Sequence, residues 1–181
     1  MKKSIAQMLA ISALFLLAAC GNNEEAADEL IDYYNEEWIP IHAMKSTEMH
    51  DAQTKLLKIM EEQGENYEEE AIALIKDEIL PVADEVLDRL ESIELEQREV
   101  KKVNDLQIEA EEFARNFLEK GIDYYKGDIT DTEYLNDESK LKEKYDAALD
   151  YQDELIEKYD LKYDKEKGKV DGFYELKHRE D

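Results

Sequence analysis

The chain has 181 residues and a formal net charge of −25, from 48 acidic and 23 basic side chains. This length suits one domain with a substantial core. The charge argues against binding to nucleic acid, because such binding depends on Lys and Arg side chains that neutralise phosphates. It also argues against lying flat on an anionic lipid surface, which attracts basic segments.

The start of the chain has the order of a secretory signal. Lys2 and Lys3 are followed by fifteen uncharged residues from Ile5 to Ala19. As a helix, this run spans ~22 Å against ~30 Å of bilayer hydrocarbon, so it is short for a transmembrane helix. Residues 1–19 are therefore predicted to be a signal peptide.

Cys20, the single cysteine of the chain, follows this run directly. An exported chain with one cysteine has no internal disulfide partner for it, so the residue needs another explanation. The segment Leu17-Ala18-Ala19-Cys20 resembles the lipobox of bacterial lipoproteins. The resemblance implies recognition of Leu17, Ala18 and Ala19 by the processing machinery and cleavage before Cys20. It also implies a diacylglyceryl group on the cysteine sulfur.

A lipid anchor of this kind predicts where the protein is held. Two acyl chains give stable anchoring, so we expect the chain on the extracytoplasmic face of the bacterial plasma membrane. Residues 20–27 are predicted to be the lipidated cysteine and a short linker. The six residues from 22 to 27 reach only ~20 Å when extended, so the folded part is expected to begin close to the lipid.

The body, residues 28–159, is predicted to be all-α. Apolar residues recur at spacings of three and four, which is typical of amphipathic helices. The stripes predict helices at about 28–62, 67–92, 96–126 and 131–159. Gly64 is a suitable helix stop, and Thr130-x-x-Glu133 fits a capping box at the start of the last helix.

The junction at residues 92–96 leaves two architectures open, because it has neither Gly nor Pro and the stripe continues almost in phase. A turn there gives an antiparallel up-down four-helix bundle. Without a turn, one central helix of ~60 residues would carry a shorter helix folded back at each end. We favour the bundle, because four stripes of similar length then share one core.

Two prolines lie inside helical patterns, Pro40 in WIPI and Pro81 in ILPV. Each removes a backbone hydrogen bond and crowds the carbonyl four residues earlier, so each is expected to kink or interrupt its helix. Pro40 could instead mark the true start of the first long helix.

Residues 160–181 are predicted to be a charged C-terminal tail. Phe173, Tyr174 and Leu176 are its clear apolar group. The tail is expected either to dock on the body through these three side chains or to stay mobile.

A metal-binding alternative rests on His42, Met49 and His50, which lie within nine residues of one another. Imidazole and thioether groups are ligands for copper or haem iron. In a helix, however, His42 and Met49 share a face while His50 is turned away from it. Met49 is also an ordinary core residue at that position.

The abundant tyrosines suggest a second kind of site. Tyrosine is an amphipathic contact residue that is enriched at interfaces. Tyr33, Tyr125 and Tyr151 lie off the apolar stripes and are candidates for an exposed partner face, although half-buried positions beside the stripes explain them as well.

Catalysis is not predicted. The sequence has no nucleophile elbow and no phosphate-binding glycine loop, and its cysteine is the expected anchor. No cofactor is predicted. The body resembles the small acidic helical lipoproteins of Bacillota, which mostly have no assigned activity. That likeness implies a Gram-positive cell and a non-enzymatic protein that binds or positions an unknown protein or cell-wall partner.

Overall fold

The computed structural model describes residues 23–64 and 67–179, which form four helices and a small β-structure. Helix α1 covers residues 23–63 and helix α2 covers Glu68 to Glu91. Helices α3 and α4 are Arg98–Tyr125 and Asp131–Lys158. Among the described residues, no helix combines the length and the apolar character needed to cross a membrane.

The predicted all-α fold is confirmed, and consecutive helices run antiparallel, as they do in an up-down bundle. Lys55, eight residues before the end of α1, pairs with Glu78, ten residues after the start of α2. The same reversal relates α3 to α4, since Lys158 at the end of α4 pairs with Glu99 at the start of α3. The alternative with one helix of ~60 residues is excluded, because residues 93–96 have no helical structure.

The turn between α2 and α3 is held by a side chain from α1. The carboxylate of Glu29 accepts hydrogen bonds from the backbone N–H groups of Glu96, at 2.6 Å, and Gln97, at 2.8 Å. A negative charge at this position also complements the positive end of the α3 dipole. A turn without Gly or Pro is therefore stabilised by a residue 67 positions away.

Both prolines follow a π-helical segment inside a continuous helix. Tyr33–Trp38 in α1 precedes Pro40, and Ile75–Ile79 in α2 precedes Pro81. Such a segment inserts one residue into the helix. We attribute both insertions to the missing N–H and the bulky proline ring, which a regular α-helix does not accommodate. The expected break is thus a local widening, and the first long helix does not begin at Pro40.

Residues 161–178 form a β-hairpin where a charged tail was predicted. Strand β1 (Leu161–Tyr163) pairs with β4 (Leu176–His178), and β2 (Lys169–Val170) pairs with β3 (Phe173–Tyr174), both antiparallel. The docked alternative is the one observed, because Leu176 is buried and Phe173 packs on the main core. Tyr174 is half-buried and lies under the Lys169 ammonium.

The largest part of the core lies where α1 begins. We call this the hairpin end of the bundle, and the opposite end, with the α1–α2 and α3–α4 connections, the far end. The core cluster combines side chains of α1, α3, α4 and the hairpin, among them Leu30, Tyr33, Tyr34, Trp38, Ile39, Val100, Val103, Leu155, Ile156, Leu161 and Leu176.

Candidate functional site

A groove of about 450 Å³ opens on the side of the bundle between α1, α4 and the hairpin. Most of its wall is apolar or aromatic. Its lining residues are Trp38, His42, Lys45, Ser46 and Met49 from α1, Gln107 from α3, Tyr145 and Leu149 from α4, and Phe173 from β3. We call this the Trp38 groove. Concave apolar sites with a few polar groups are the usual form of a small-molecule site.

A polar triad from three helices borders the groove. The Lys45 ammonium donates to both carboxylate oxygens of Glu111, at 2.6 and 2.7 Å, and to the Tyr145 hydroxyl at 2.6 Å. Glu111 is fully buried and Lys45 is half-buried. Burial, and then the negative charge of Glu111, raise the pKa of the Tyr145 phenol. The triad therefore joins a neutral phenol to a charge-balanced ion pair.

His42 is an uncharged member of the wall. Its ring stacks on the indole of Trp38 with 4.1 Å between ring centroids. Burial, and then the charge of Lys45, lower the pKa of His42 to about 3. The imidazole is consequently neutral at physiological pH, and Trp38, His42 and Phe173 form an aromatic corner in which Phe173 meets Trp38 edge-on at 5.1 Å.

Three nitrogen atoms of the groove residues have neither a hydrogen-bond partner nor access to solvent: Trp38 Nε1, His42 Nε2 and Gln107 Nε2. Buried polar groups are nearly always hydrogen-bonded, so each exception calls for an explanation. Three such atoms on one groove make it the best candidate site among the described residues.

The structure separates the three residues of the predicted metal site. His42 and Met49 line the Trp38 groove, as their shared helix face predicted. His50 is exposed and does not line it. The Lys45 ammonium beside His42 also opposes a cation. Among residues 23–64 and 67–179 there is no group of three His, Cys, Asp or Glu side chains arranged to hold a metal ion. The metal-binding alternative stays a prediction, with His42 and Met49 on one groove and His50 outside it.

The three predicted partner-face tyrosines do not share a face. Tyr33 is buried in the core, where its hydroxyl donates to Asn104 Oδ1 at 3.3 Å. Its placement on an exposed face was wrong, because Tyr33 follows the buried Leu30 by three positions and therefore lies on the same face of α1. Tyr151 is half-buried beneath the Lys102 ammonium, towards the hairpin end. Tyr125 lies at the far end.

The far end carries a cluster of half-buried aromatic rings. The clearest contacts are stacked pairs of Tyr134 with Phe117 and with Tyr124, at 4.6 and 4.8 Å. Tyr125 meets Tyr67 edge-on at 5.8 Å. Exposed apolar side chains lie at the same end of the bundle: Leu57, Met60 and Leu135.

The predicted signal peptide, residues 1–19, lies outside the described part of the chain. So do the predicted lipid-attachment residue Cys20 and the predicted recognition residues Leu17, Ala18 and Ala19. The linker boundary is corrected, because residues 23–27 are already helical and Ala26 and Ala27 are buried. These alanines lie on the buried face of the first helical turns, so the helix begins within three residues of Cys20.

Comparison with protein-family models, with curated proteins and with solved structures gives no match for this chain.

Sequence reasoning missed most of the groove. It named His42 and Met49 for another chemistry and did not connect them with Gln107, Tyr145 or Phe173, which lie on three other elements. One available signal was Asp171-Gly172, a typical two-residue hairpin turn in which both residues have positive φ, 50° and 93°. That signal predicts a hairpin, and the reversal of the chain at this turn returns Phe173 towards the helical body.

Proposed function

We propose that this protein is a non-enzymatic lipoprotein, anchored through Cys20 to the extracytoplasmic face of the plasma membrane, whose far end binds a protein or cell-wall partner. The lipobox resemblance supports the anchor. The early start of α1 adds that the hairpin end sits next to the lipid, because almost no linker separates Cys20 from the bundle.

The observation that carries the partner proposal is the exposure of large apolar side chains at the far end. Leu57 and Leu135 are 57% and 58% exposed, and Met60, which follows Leu57 by three positions, is 41% exposed. Apolar and aromatic side chains at one exposed end are typical of the centre of a binding surface. Because α1 starts at the opposite end, this surface points away from the membrane in the anchored protein.

Charge restricts the kind of partner. Acidic side chains surround the far end, including Glu61, Glu62, Glu68, Glu69 and Asp131. Complementary potentials favour encounter and suppress wrong partners, so we expect a partner with basic groups around an apolar centre.

The anchor is tested by Cys20→Ala in cells, with Asn22→Ala as the matched control. We expect the Cys20→Ala protein to lose the lipid mass and to be released or left unprocessed, because the acyl chains supply the membrane affinity. Fractionation and intact-mass measurement give the readout. Unchanged mass and membrane retention in Cys20→Ala would contradict the anchor.

The partner surface is tested by placing a photo-crosslinking amino acid at position 135 or, as a control, at position 149. Both native residues are exposed leucines of α4. Leu149, however, lines the Trp38 groove on the side of the bundle and not the far end. We expect a discrete crosslinked product in intact cells from position 135 that is absent at position 149. Equal products from both positions, or none from either, would argue against a far-end partner.

A further inference from the structure

The Trp38 groove has the features of a ligand site that the proposed function does not use. Gln107, in the wall of the groove, is only 1% exposed, and its side-chain nitrogen has no hydrogen-bond partner. Trp38 is 6% exposed, and its indole N–H also lacks a hydrogen-bond partner. An unpaired buried donor costs about 1–3 kcal/mol, so the groove retains groups that the folded chain itself does not satisfy.

The chemistry of these groups defines what they would bind. The indole N–H and the Gln107 amide are hydrogen-bond donors, so they require an acceptor oxygen. The rings of Trp38, His42, Tyr145 and Phe173 offer aromatic faces and edges. A planar ring with an attached acceptor matches both requirements.

Charge narrows the ligand further. Lys45 is already neutralised by Glu111 at 2.6 Å, and His42 stays uncharged at neutral pH. The net charge of −25 disfavours the approach of an anion. A cation would find no carboxylate among the residues that line the groove. The remaining class is an uncharged compound.

We propose that the Trp38 groove binds an uncharged aromatic compound bearing a carbonyl oxygen, which accepts hydrogen bonds from the Gln107 amide and the Trp38 indole. Binding includes a small displacement of a wall side chain, because both nitrogen atoms are shielded from solvent. Phe173 is placed for this movement, since it comes from the hairpin and its ring packs edge-on against Trp38.

The single tryptophan of the chain provides the readout. The full chain, ¹⁵N-labelled at the tryptophan indole, is placed in lipid nanodiscs and titrated with 2-acetylnaphthalene, 2-ethylnaphthalene or 2-naphthoate, with empty nanodiscs correcting for partition. We expect saturable movement of the indole resonance with 2-acetylnaphthalene. Its affinity should exceed that of 2-ethylnaphthalene by about tenfold, the effect of one net hydrogen bond, and 2-naphthoate should bind more weakly than the ketone.

Two substitutions separate binding from folding. Gln107→Leu removes the amide while keeping the side-chain size, so it should retain or raise the melting temperature. It should also reduce the preference for the ketone, because only the Trp38 indole is then left to donate to the carbonyl. Ser46→Phe adds a ring at an exposed position that lines the groove and should weaken binding at least tenfold, whereas Ser139→Phe, on an exposed position outside the groove, should not.

Several outcomes overturn the proposal: an unmoved indole resonance, equal affinities for the ketone and the hydrocarbon, or a ketone preference that is undiminished in Gln107→Leu. None of them bears on the Cys20 anchor or the far-end surface, so failure here is distinguishable from failure of the proposed function.

Discussion

The Lys45–Glu111 pair lies deeper in the bundle than the ion pairs on the helix surfaces. Lys45→Met would leave the Glu111 carboxylate buried without its counter-charge. Because Lys45 keeps partial exposure, we expect the free energy of unfolding to fall by about 3 kcal/mol, at the low end for breaking a buried pair. Urea denaturation measures the change.

The controls for this pair are one double and one single variant. Lys45→Met with Glu111→Leu should recover most of the lost stability, because neither charge is then left buried alone. Lys101→Met, which breaks an exposed pair with Asp105, should cost far less. If Lys45→Met lowers the free energy of unfolding no more than Lys101→Met does, the Lys45–Glu111 pair stabilises the fold no more than an exposed ion pair.

His42 should make stability depend on pH. The unfolded chain protonates this residue near its ordinary pKa of 6.5, but the folded protein does so only near 3. The unfolded state therefore binds more protons in between, and stability falls as the pH drops through this range. At pH 5 the loss relative to pH 7.5 should be roughly 2 kcal/mol.

Urea titrations of the native protein, His42→Leu and His50→Leu at both pH values isolate the contribution of His42. The pH-dependent loss should shrink by that amount in His42→Leu and persist in His50→Leu, because His50 is exposed. An equal pH dependence in all three proteins would show that His42 is not buried in its neutral form.

At the scale of elements, Asn35 joins the π-helical segment of α1 to the hairpin. Its amide nitrogen donates to the Leu176 carbonyl at 2.9 Å, and its amide oxygen accepts from the Leu176 N–H at 2.7 Å. Asn35→Ala leaves both backbone groups without their partner, so we expect a cost of roughly 2 kcal/mol. Hydrogen exchange should show the loss of protection concentrated in residues 161–178.

Asn136→Ala, on an exposed position of α4, is the matched control and should leave the exchange of the hairpin unchanged. Loss of protection spread evenly over α2 and α3 in Asn35→Ala would indicate that the hairpin and the bundle unfold as one unit.

The four helices were predictable because each carries its own information: an apolar stripe, a glycine stop or a capping box. The capping box is present, with Thr130 and Glu133 bonded reciprocally. The turn before α3 was only weakly predictable, because Glu29 supplies its hydrogen bonds from another helix. The burial of Tyr33 was more predictable, because Tyr33 and Tyr34 follow Leu30 by three and four positions and both spacings fall on one helix face.

The groove was less predictable than the helices, because its members become neighbours only after packing. Lys45, Glu111 and Tyr145 come from three helices and are separated by up to 100 positions. No local pattern relates them. The hairpin strands are two or three residues long, so an alternating pattern has almost no length in which to appear.

At the scale of the whole molecule, the excess of acidic side chains should oppose the compact state. Self-repulsion in a chain of net charge −25 destabilises the fold, and salt screens it. We expect the urea midpoint at pH 7.5 to rise between low and moderate NaCl concentrations. Near the isoelectric point of about 4.4 the rise should be smaller. A midpoint that falls with salt at pH 7.5 would mean that attractive surface pairs outweigh the repulsion.

The first turns of α1 find their partners almost at the opposite end of the chain. Asp28 contacts His178, 150 residues later, and Asn35 contacts Leu176, 141 residues later. A polypeptide that emerges N-terminus first, from a ribosome or a translocation pore, therefore leaves the first turns of α1 without these partners until residues 176–178 have emerged. Closing so long a loop carries its entropic cost before these contacts repay it. Completion of the bundle should thus wait for the hairpin, and removal of residues 176–178 would be felt in the first turns of α1.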